Sequence, residues 1–129
     1  MSRYLFRLSL AAMLFLLTAA SVWSLEITEA VITTAVVDRE PVDRVEVFPI
    51  QNGTLYCFTR VKGAEEPAFV YHLWFRDEEL MSRVELPVNS PDWRTWSAKT
   101  FLRDWSGEWR VEIQDTNGFL LQTVKFQLR

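Results

Sequence analysis

The chain has 129 residues, of which 17 are acidic and 14 basic, and a formal net charge of −3 at pH 7. This length allows one folded domain. An acidic chain without a run of lysine or arginine argues against nucleic acid as a partner, because that binding depends on cations that neutralise phosphates. The single cysteine, Cys57, excludes an internal disulfide, so an apolar core must stabilise the fold.

The first 24 residues have the order of a secretory signal peptide. Arg3 and Arg7 come first, and an uncharged apolar run of 16 residues follows, from position 8 to position 23. Small residues near its end suit cleavage after Ser24 or after Ala20. We therefore predict a signal-peptide helix over residues 1–24, a single domain over residues 25–129, and a periplasmic or secreted location.

The alternative for this segment is an uncleaved anchor in the inner membrane, formed by residues 4–23. The apolar run of 16 residues is shorter than the roughly 20 that a membrane-spanning helix needs. We therefore favour cleavage, which would leave the membrane as a partner only if the segment is retained.

Beyond residue 24 the sequence indicates β-structure almost throughout, with short apolar or alternating runs separated by turn residues. For the first run a short helix over residues 28–35 is the rival. The remainder predicts an antiparallel β-sandwich, immunoglobulin-like or similar, of about seven to eight short strands. The predicted strands lie within residues 27–38, 55–61, 68–76, 80–88, 100–105, 107–115 and 119–128, with a further short edge strand within 39–50.

The segment "AFVYHLWFR" alternates as a strand does and contains the only histidine, His72. His72 and Trp74 share one face, and four apolar residues lie on the other. One interpretation has both faces covered, with His72 hydrogen-bonded to a neighbouring group. The other has a half-exposed patch in which Trp74 is a platform for a ligand.

The segment "PDWRTWSAKT" places two tryptophans, Trp93 and Trp96, three residues apart. Its Pro-Asp start favours a turn, so we predict a corner between two strands. As a structural corner, it would bury a tryptophan while Arg94 stacks on a ring or pairs with a carboxylate and Ser97 bonds to the backbone. As a binding surface, it would stack a ligand on tryptophan and hydrogen-bond it through Arg94 or Lys99.

Enzyme chemistry has little support in the sequence. A lone histidine and a lone cysteine rule out a multi-histidine or multi-cysteine metal site. Ser97 and Lys99 would share a face in a strand, but they lack the spacing of a serine–lysine catalytic pair. We predict a protein that is not an enzyme and uses no metal or cofactor.

Four segments resemble the bacterial domain of unknown function 2914. They are "REPVD" at residues 39–43, "YHLWF" at 71–75, "WRTWSAKT" at 93–100 and "GEWRVEIQDTNGFLL" at 107–121. The resemblance implies an all-β envelope domain and gives no catalytic residues. The motif residues that this chain retains are His72, Trp74, Arg94, Ser97 and Lys99.

Three functional hypotheses follow. The first is a non-catalytic secreted or periplasmic module that binds an envelope protein or peptide, with an exposed sheet edge as one possible surface. The second is a carbohydrate or cell-wall binding module that stacks sugars on Trp74, Trp93 and Trp96. The third is a small hydrolase that uses His72 or the pair of Ser97 and Lys99.

Overall fold

The computed structural model describes residues 24–49, 51 and 53–129, and the proposed signal-peptide helix lies outside these ranges. The described residues form ten strands and no helix. The strands are β1 Glu26–Thr33, β2 Val36–Val37, β3 Glu40–Pro41, β4 Val47–Phe48, β5 Gly53–Lys62, β6 Ala68–Arg76, β7 Glu79–Val88, β8 Asp92–Phe101, β9 Gly107–Gln114 and β10 Leu120–Leu128. Within these ranges there is accordingly no helix long and apolar enough to cross a bilayer.

The strands form two main sheets that pack as a sandwich. One sheet has the order β1-β5-β8, and the other has the order β4-β10-β9-β6-β7. Every pair is antiparallel except the two-residue β4, which lies parallel to β10. β2 and β3 form a separate small hairpin. The predicted all-β sandwich is confirmed: seven strands have eight to ten residues, and the other three have two.

An aromatic cluster fills one end of the core between the sheets. Phe101, at the end of β8, makes edge-on contacts with the rings of Trp74, Trp109 and Phe126 at centroid distances of 6.2, 4.7 and 5.9 Å. All four side chains are buried. Trp109 begins the inward row of β9 that continues through Val111 and Ile113, as the alternation of this strand predicts.

Bulges interrupt the alternation of side chains in β7 and β10. Leu80 and Leu120 are exposed, whereas the next residues, Met81 and Leu121, pack against the core. The register of each strand against its partner shifts by one residue at these places. Such an extra residue sends the side chains before it to the opposite face.

Two expectations are corrected. The rival helix over residues 28–35 is wrong, because this segment belongs mainly to β1. The segment "PDWRTWSAKT" is not a corner between strands, because β8 runs through it from Asp92 and pairs with β5 along its whole length. The strand proposed for residues 100–105 is only the end of β8, and a turn follows.

The core predicts a contrast between two phenylalanines. Phe101→Ala removes a ring that is 1% exposed, so it should lower the free energy of unfolding by about 3–5 kcal/mol. Phe69→Ala removes the same groups from a ring that is 42% exposed, so its cost should be well below that of Phe101→Ala. Urea denaturation of both variants checks the contrast, and equal losses would contradict the assignment of the core.

Candidate functional site

A buried polar cluster joins the two sheets at the position of the only histidine. β6 directs His72 and Trp74 into the core, opposite Thr59 of β5 and Ser97 of β8. The imidazole Nδ1 lies 2.7 Å from the Ser97 hydroxyl, and its Nε2 lies 2.9 Å from the Thr59 hydroxyl. The indole N–H of Trp74 donates to the same Ser97 oxygen over 3.1 Å. Residues far apart in the sequence therefore form one hydrogen-bonded network.

The partners of this cluster assign its protons. Because the Ser97 oxygen accepts the Trp74 N–H, its own proton is best used when it donates to Nδ1 of His72. Nε2 then carries the imidazole proton, and this N–H donates a hydrogen bond to the Thr59 hydroxyl oxygen. Burial lowers the pKa of His72 from 6.5 to about 3, so the ring is neutral at physiological pH. Burial also raises the pKa of the neighbouring Cys57 thiol to about 12, which makes it unreactive.

The same geometry gives no support to a hydrolase. A serine and a histidine are in contact, but both are buried, so a substrate cannot reach the Ser97 oxygen in this structure. The second imidazole nitrogen contacts a threonine and not the carboxylate that orients a catalytic histidine. Lys99 does not join the cluster as a base for Ser97, because its ammonium nitrogen lies over Trp105, 5.2 Å from the ring centre. The cluster therefore fits the role of a core hydrogen-bond network.

The opposite face of β6 carries apolar side chains that arginines partly cover. The guanidinium carbon of Arg83 lies 4.1 Å from the ring centre of Tyr71, and that of Arg110 lies 4.3 Å from the ring centre of Phe75. Both faces of the strand are thus occupied, as the first interpretation of this segment expects. The alternative in which Trp74 is an exposed platform is wrong, because its side chain has no exposed surface.

The β2–β3 hairpin packs on β8 and connects two of the sequence motifs. Its turn residues, Asp38 and Arg39, have φ values of 51° and 62°. The Arg39 guanidinium lies 5.0 Å from the ring centre of Trp93 and donates to the backbone oxygen of Arg94 over 3.3 Å. Arg94 in turn forms an ion pair with Glu40. The motif "REPVD" therefore holds the motif "WRTWSAKT", and the stacking arginine is Arg39, which sequence reasoning missed.

Asp43, the last residue of "REPVD", fixes the other end of the hairpin. Its carboxylate accepts hydrogen bonds from the hydroxyl of Thr33 and from the amide and hydroxyl of Thr34, at 2.5–2.8 Å. The two bonds from Thr34, followed by the one from Thr33, lower the pKa of this carboxyl group. These contacts hold the chain at the point where it leaves β1 and turns towards the hairpin.

The outer edge of β8 presents backbone groups to solvent. The amide of Gly63 donates to the backbone oxygen of Pro91, which shows that the odd-numbered residues of β8 form the hydrogen-bonded pairs with β5. The N–H and C=O groups of the even-numbered residues therefore point away from β5. No strand pairs with this edge within the ranges that the structure describes. The backbone oxygens of Asp92 and Arg94 accept hydrogen bonds from the Ser90 hydroxyl and the Arg39 guanidinium, and the open positions are Trp96, Ala98 and Thr100.

A shallow groove of about 180 Å³ lies along this edge. Its walls come from Arg39 of the hairpin and Pro87 of β7, and β8 contributes Trp93 to Trp96. Trp96 is 37% exposed, while Trp93 points to the other face and packs against the core. Of the seven candidate binding residues, the structure brings Trp93, Arg94 and Trp96 to the groove and places His72, Trp74 and Ser97 in the core; Lys99 lies apart, on Trp105.

Among the described residues, no three His, Cys, Asp or Glu side chains lie close enough together to hold a metal ion.

The buried imidazole predicts a specific pH dependence of stability. Between about pH 6 and pH 4 the unfolded chain binds a proton at His72 that the folded chain does not. Each unit by which the pH is lowered in this range should therefore reduce the free energy of unfolding by about 1.4 kcal/mol through this group. His72→Gln should lack this part of the slope while keeping that of the carboxylates. Urea denaturation over this range checks the difference. Equal slopes, or an NMR titration of the folded imidazole near pH 6.5, would contradict the assignment.

Similarity to known proteins is limited. No curated protein matches the sequence. Among solved structures, a Niemann-Pick type C2 protein from the Japanese carpenter ant matches 84% of this chain and 99% of its own, with 14% identity and a TM-score of 0.41. At this level of similarity nothing about function follows.

The family comparison is more specific. The family model described as "Protein of unknown function (DUF2914)" matches residues 67–128. This range contains three of the four motif segments and ends with the last residue of β10. The fourth segment, "REPVD", lies before it. The stretch from β6 to β10 is therefore similar to the DUF2914 family, as its motifs indicated.

Proposed function

We propose that this protein is a non-catalytic binding module of the cell envelope, secreted or periplasmic, that binds an extended segment of an envelope protein as an additional strand along β8. Strand addition uses the backbone of an exposed sheet edge for affinity and the neighbouring side chains for specificity. Both parts are present at β8, in the free backbone groups and in the groove beside Trp96.

The observation that carries the proposal is the regularity of this edge. Sheet edges in natural proteins are protected by bulges, prolines, short strands or charges that point inward. β8 has ten residues, pairs with β5 without a register shift, and contains no proline. Lys99 lies against Trp105, and the one edge backbone group that the hairpin contacts among the described residues is the oxygen of Arg94. A long regular edge of this kind suits a partner strand.

The side chains along the edge favour a peptide with alternating character. Those of Trp96, Ala98 and Thr100 lie on the solvent face of the sheet, beside the outward side chains of an added strand. Ala98 leaves space next to the Trp96 ring, which favours an apolar partner side chain there. Arg94 would favour an acidic side chain at the end of the groove, although Glu40 already pairs with it.

The tryptophans give less support to a carbohydrate module. Sugar binding by stacking needs rings that share an exposed surface. Trp74 is buried, Trp93 is covered by Arg39, and only Trp96 is among the exposed large apolar residues. A single half-exposed ring beside unpaired backbone groups fits a peptide better than a glycan.

Ala98→Pro tests this proposal without damage to the sheet. The amide of Ala98 points away from β5, so proline removes a hydrogen bond to the partner strand and keeps the ladder inside the domain. Peptides selected from a displayed library of extended sequences should bind the unmodified protein. Binding to Ala98→Pro should be weaker by roughly tenfold or more, the equivalent of about one lost hydrogen bond together with the steric clash.

Ala98→Val is the matched control, because it changes the size of the side chain and keeps the amide. It should retain binding within a few-fold. Thermal unfolding of both variants must show that they are folded. Selected peptides that bind Ala98→Pro as tightly as the unmodified protein, or a library from which no peptide binds, would contradict strand addition at β8.

A further inference from the structure

We propose that the end of the sandwich formed by the β9–β10 turn contacts the surface of a lipid bilayer, in the form of the protein that keeps its N-terminal apolar run. Two large apolar side chains are exposed at this turn: Phe119 is 68% exposed and Leu120 is 55% exposed. Beside them is an open groove of about 430 Å³. It is lined by the apolar residues Leu25, Ala68, Phe119 and Leu121, together with Ser24 and the turn residues 115–117.

The turn holds this apolar tip in a fixed position. The Asp115 carboxylate accepts hydrogen bonds from the amides of Asn117 and Phe119, and the amide of Asp115 donates to the backbone oxygen of Phe119. Gly118 adopts a φ of 82°, which a residue with a side chain rarely takes. The bulge that follows turns Leu120 outward as well. The exposure of the two side chains is therefore built into the backbone.

The course of the chain indicates what covers this surface. Ser24 lines the groove, and the apolar run of residues 8–23 immediately precedes it in the sequence. A run of this kind in a bilayer would bring the Phe119 end of the domain to the lipid surface. Exposed aromatic and leucine side chains are those that enter the boundary between headgroups and acyl chains. In the form that keeps this run, attachment of the chain to the bilayer thus favours lipid over a soluble partner.

The charges around this end define the lipid. Acidic residues outnumber basic ones here, and they would repel anionic headgroups. The acidic residues at this end are Glu26, Glu65, Glu66, Asp92 and Asp115, and the basic ones are Lys62 and Arg60, which forms an ion pair with Asp92. We therefore infer contact with zwitterionic lipid. Because β8 starts at this end and runs away from it, its edge stays free, and the two proposals can be tested separately.

Fluorescence quenching in vesicles tests the contact. The full chain is made by cell-free synthesis with phosphatidylcholine vesicles, so that no signal peptidase removes residues 1–24. An environment-sensitive nitrobenzoxadiazole dye is attached to Asn117→Cys, which keeps Phe119 and the backbone bonds of the turn. Cys57 is buried and does not compete for the dye. The matched control is Leu102→Cys, at a residue that is 54% exposed at the opposite end of β8.

The expected result is a blue shift of the dye at position 117 and its quenching by a lipid-borne quencher, with neither effect at position 102. Phe119→Ser combined with Leu120→Ser should abolish most of the quenching, and vesicles rich in phosphatidylglycerol should weaken it. Equal quenching at both positions, or none at position 117 in chains that float with the vesicles, would overturn the proposal. A blue shift at position 117 that a lipid-borne quencher cannot reach would assign the groove to the chain's own N-terminal segment and would also overturn it.

Discussion

The hydrogen bonds that join Ser97 to His72 and Trp74 determine which side of β8 faces the core. A serine in the interior is costly unless its hydroxyl is paired, and only the inward orientation of Ser97 provides these partners. Once Ser97 points inward, the alternation of the strand places Trp96 and Ala98 outward. The antiparallel pairing with β5 then directs their backbone groups to the free edge. The cluster is remote from any surface, yet the proposed binding edge depends on it.

The β2–β3 hairpin completes this arrangement from the other side. A two-residue turn with positive φ at both positions normally uses asparagine, aspartate or glycine, so an arginine at its second position carries a conformational cost. Arg39 occupies that position and contacts both the ring of Trp93 and the backbone oxygen of Arg94. These contacts offset the cost, and they occupy the backbone oxygen of Arg94 at the edge of β8. The edge that remains open therefore begins at Trp96.

Much of the fold was predictable because several strands alternate clearly. In β9 the inward positions are Trp109, Val111 and Ile113, so a period of two indicates both the strand and its buried face. The inward positions of β8 are different: tryptophan, threonine, serine, lysine and phenylalanine. That row has no apolar periodicity, and the Pro-Asp start suggested a turn. Only the position of His72, 25 residues earlier, explains why Ser97 can be buried. The sequence singles out these motif residues, but their division between core and edge depends on contacts that local patterns do not contain.

The central claim is that β8 has an open edge at which another strand can pair. Amide hydrogen exchange of the folded protein, resolved by NMR, tests it most directly. The amides of Trp96, Ala98 and Thr100 should exchange rapidly, while those of Thr95, Ser97 and Lys99, which pair with β5, should be strongly protected. Alternation of fast and slow exchange along β8 is the predicted result. Equal protection of both sets would show that the edge is already covered and would contradict the account.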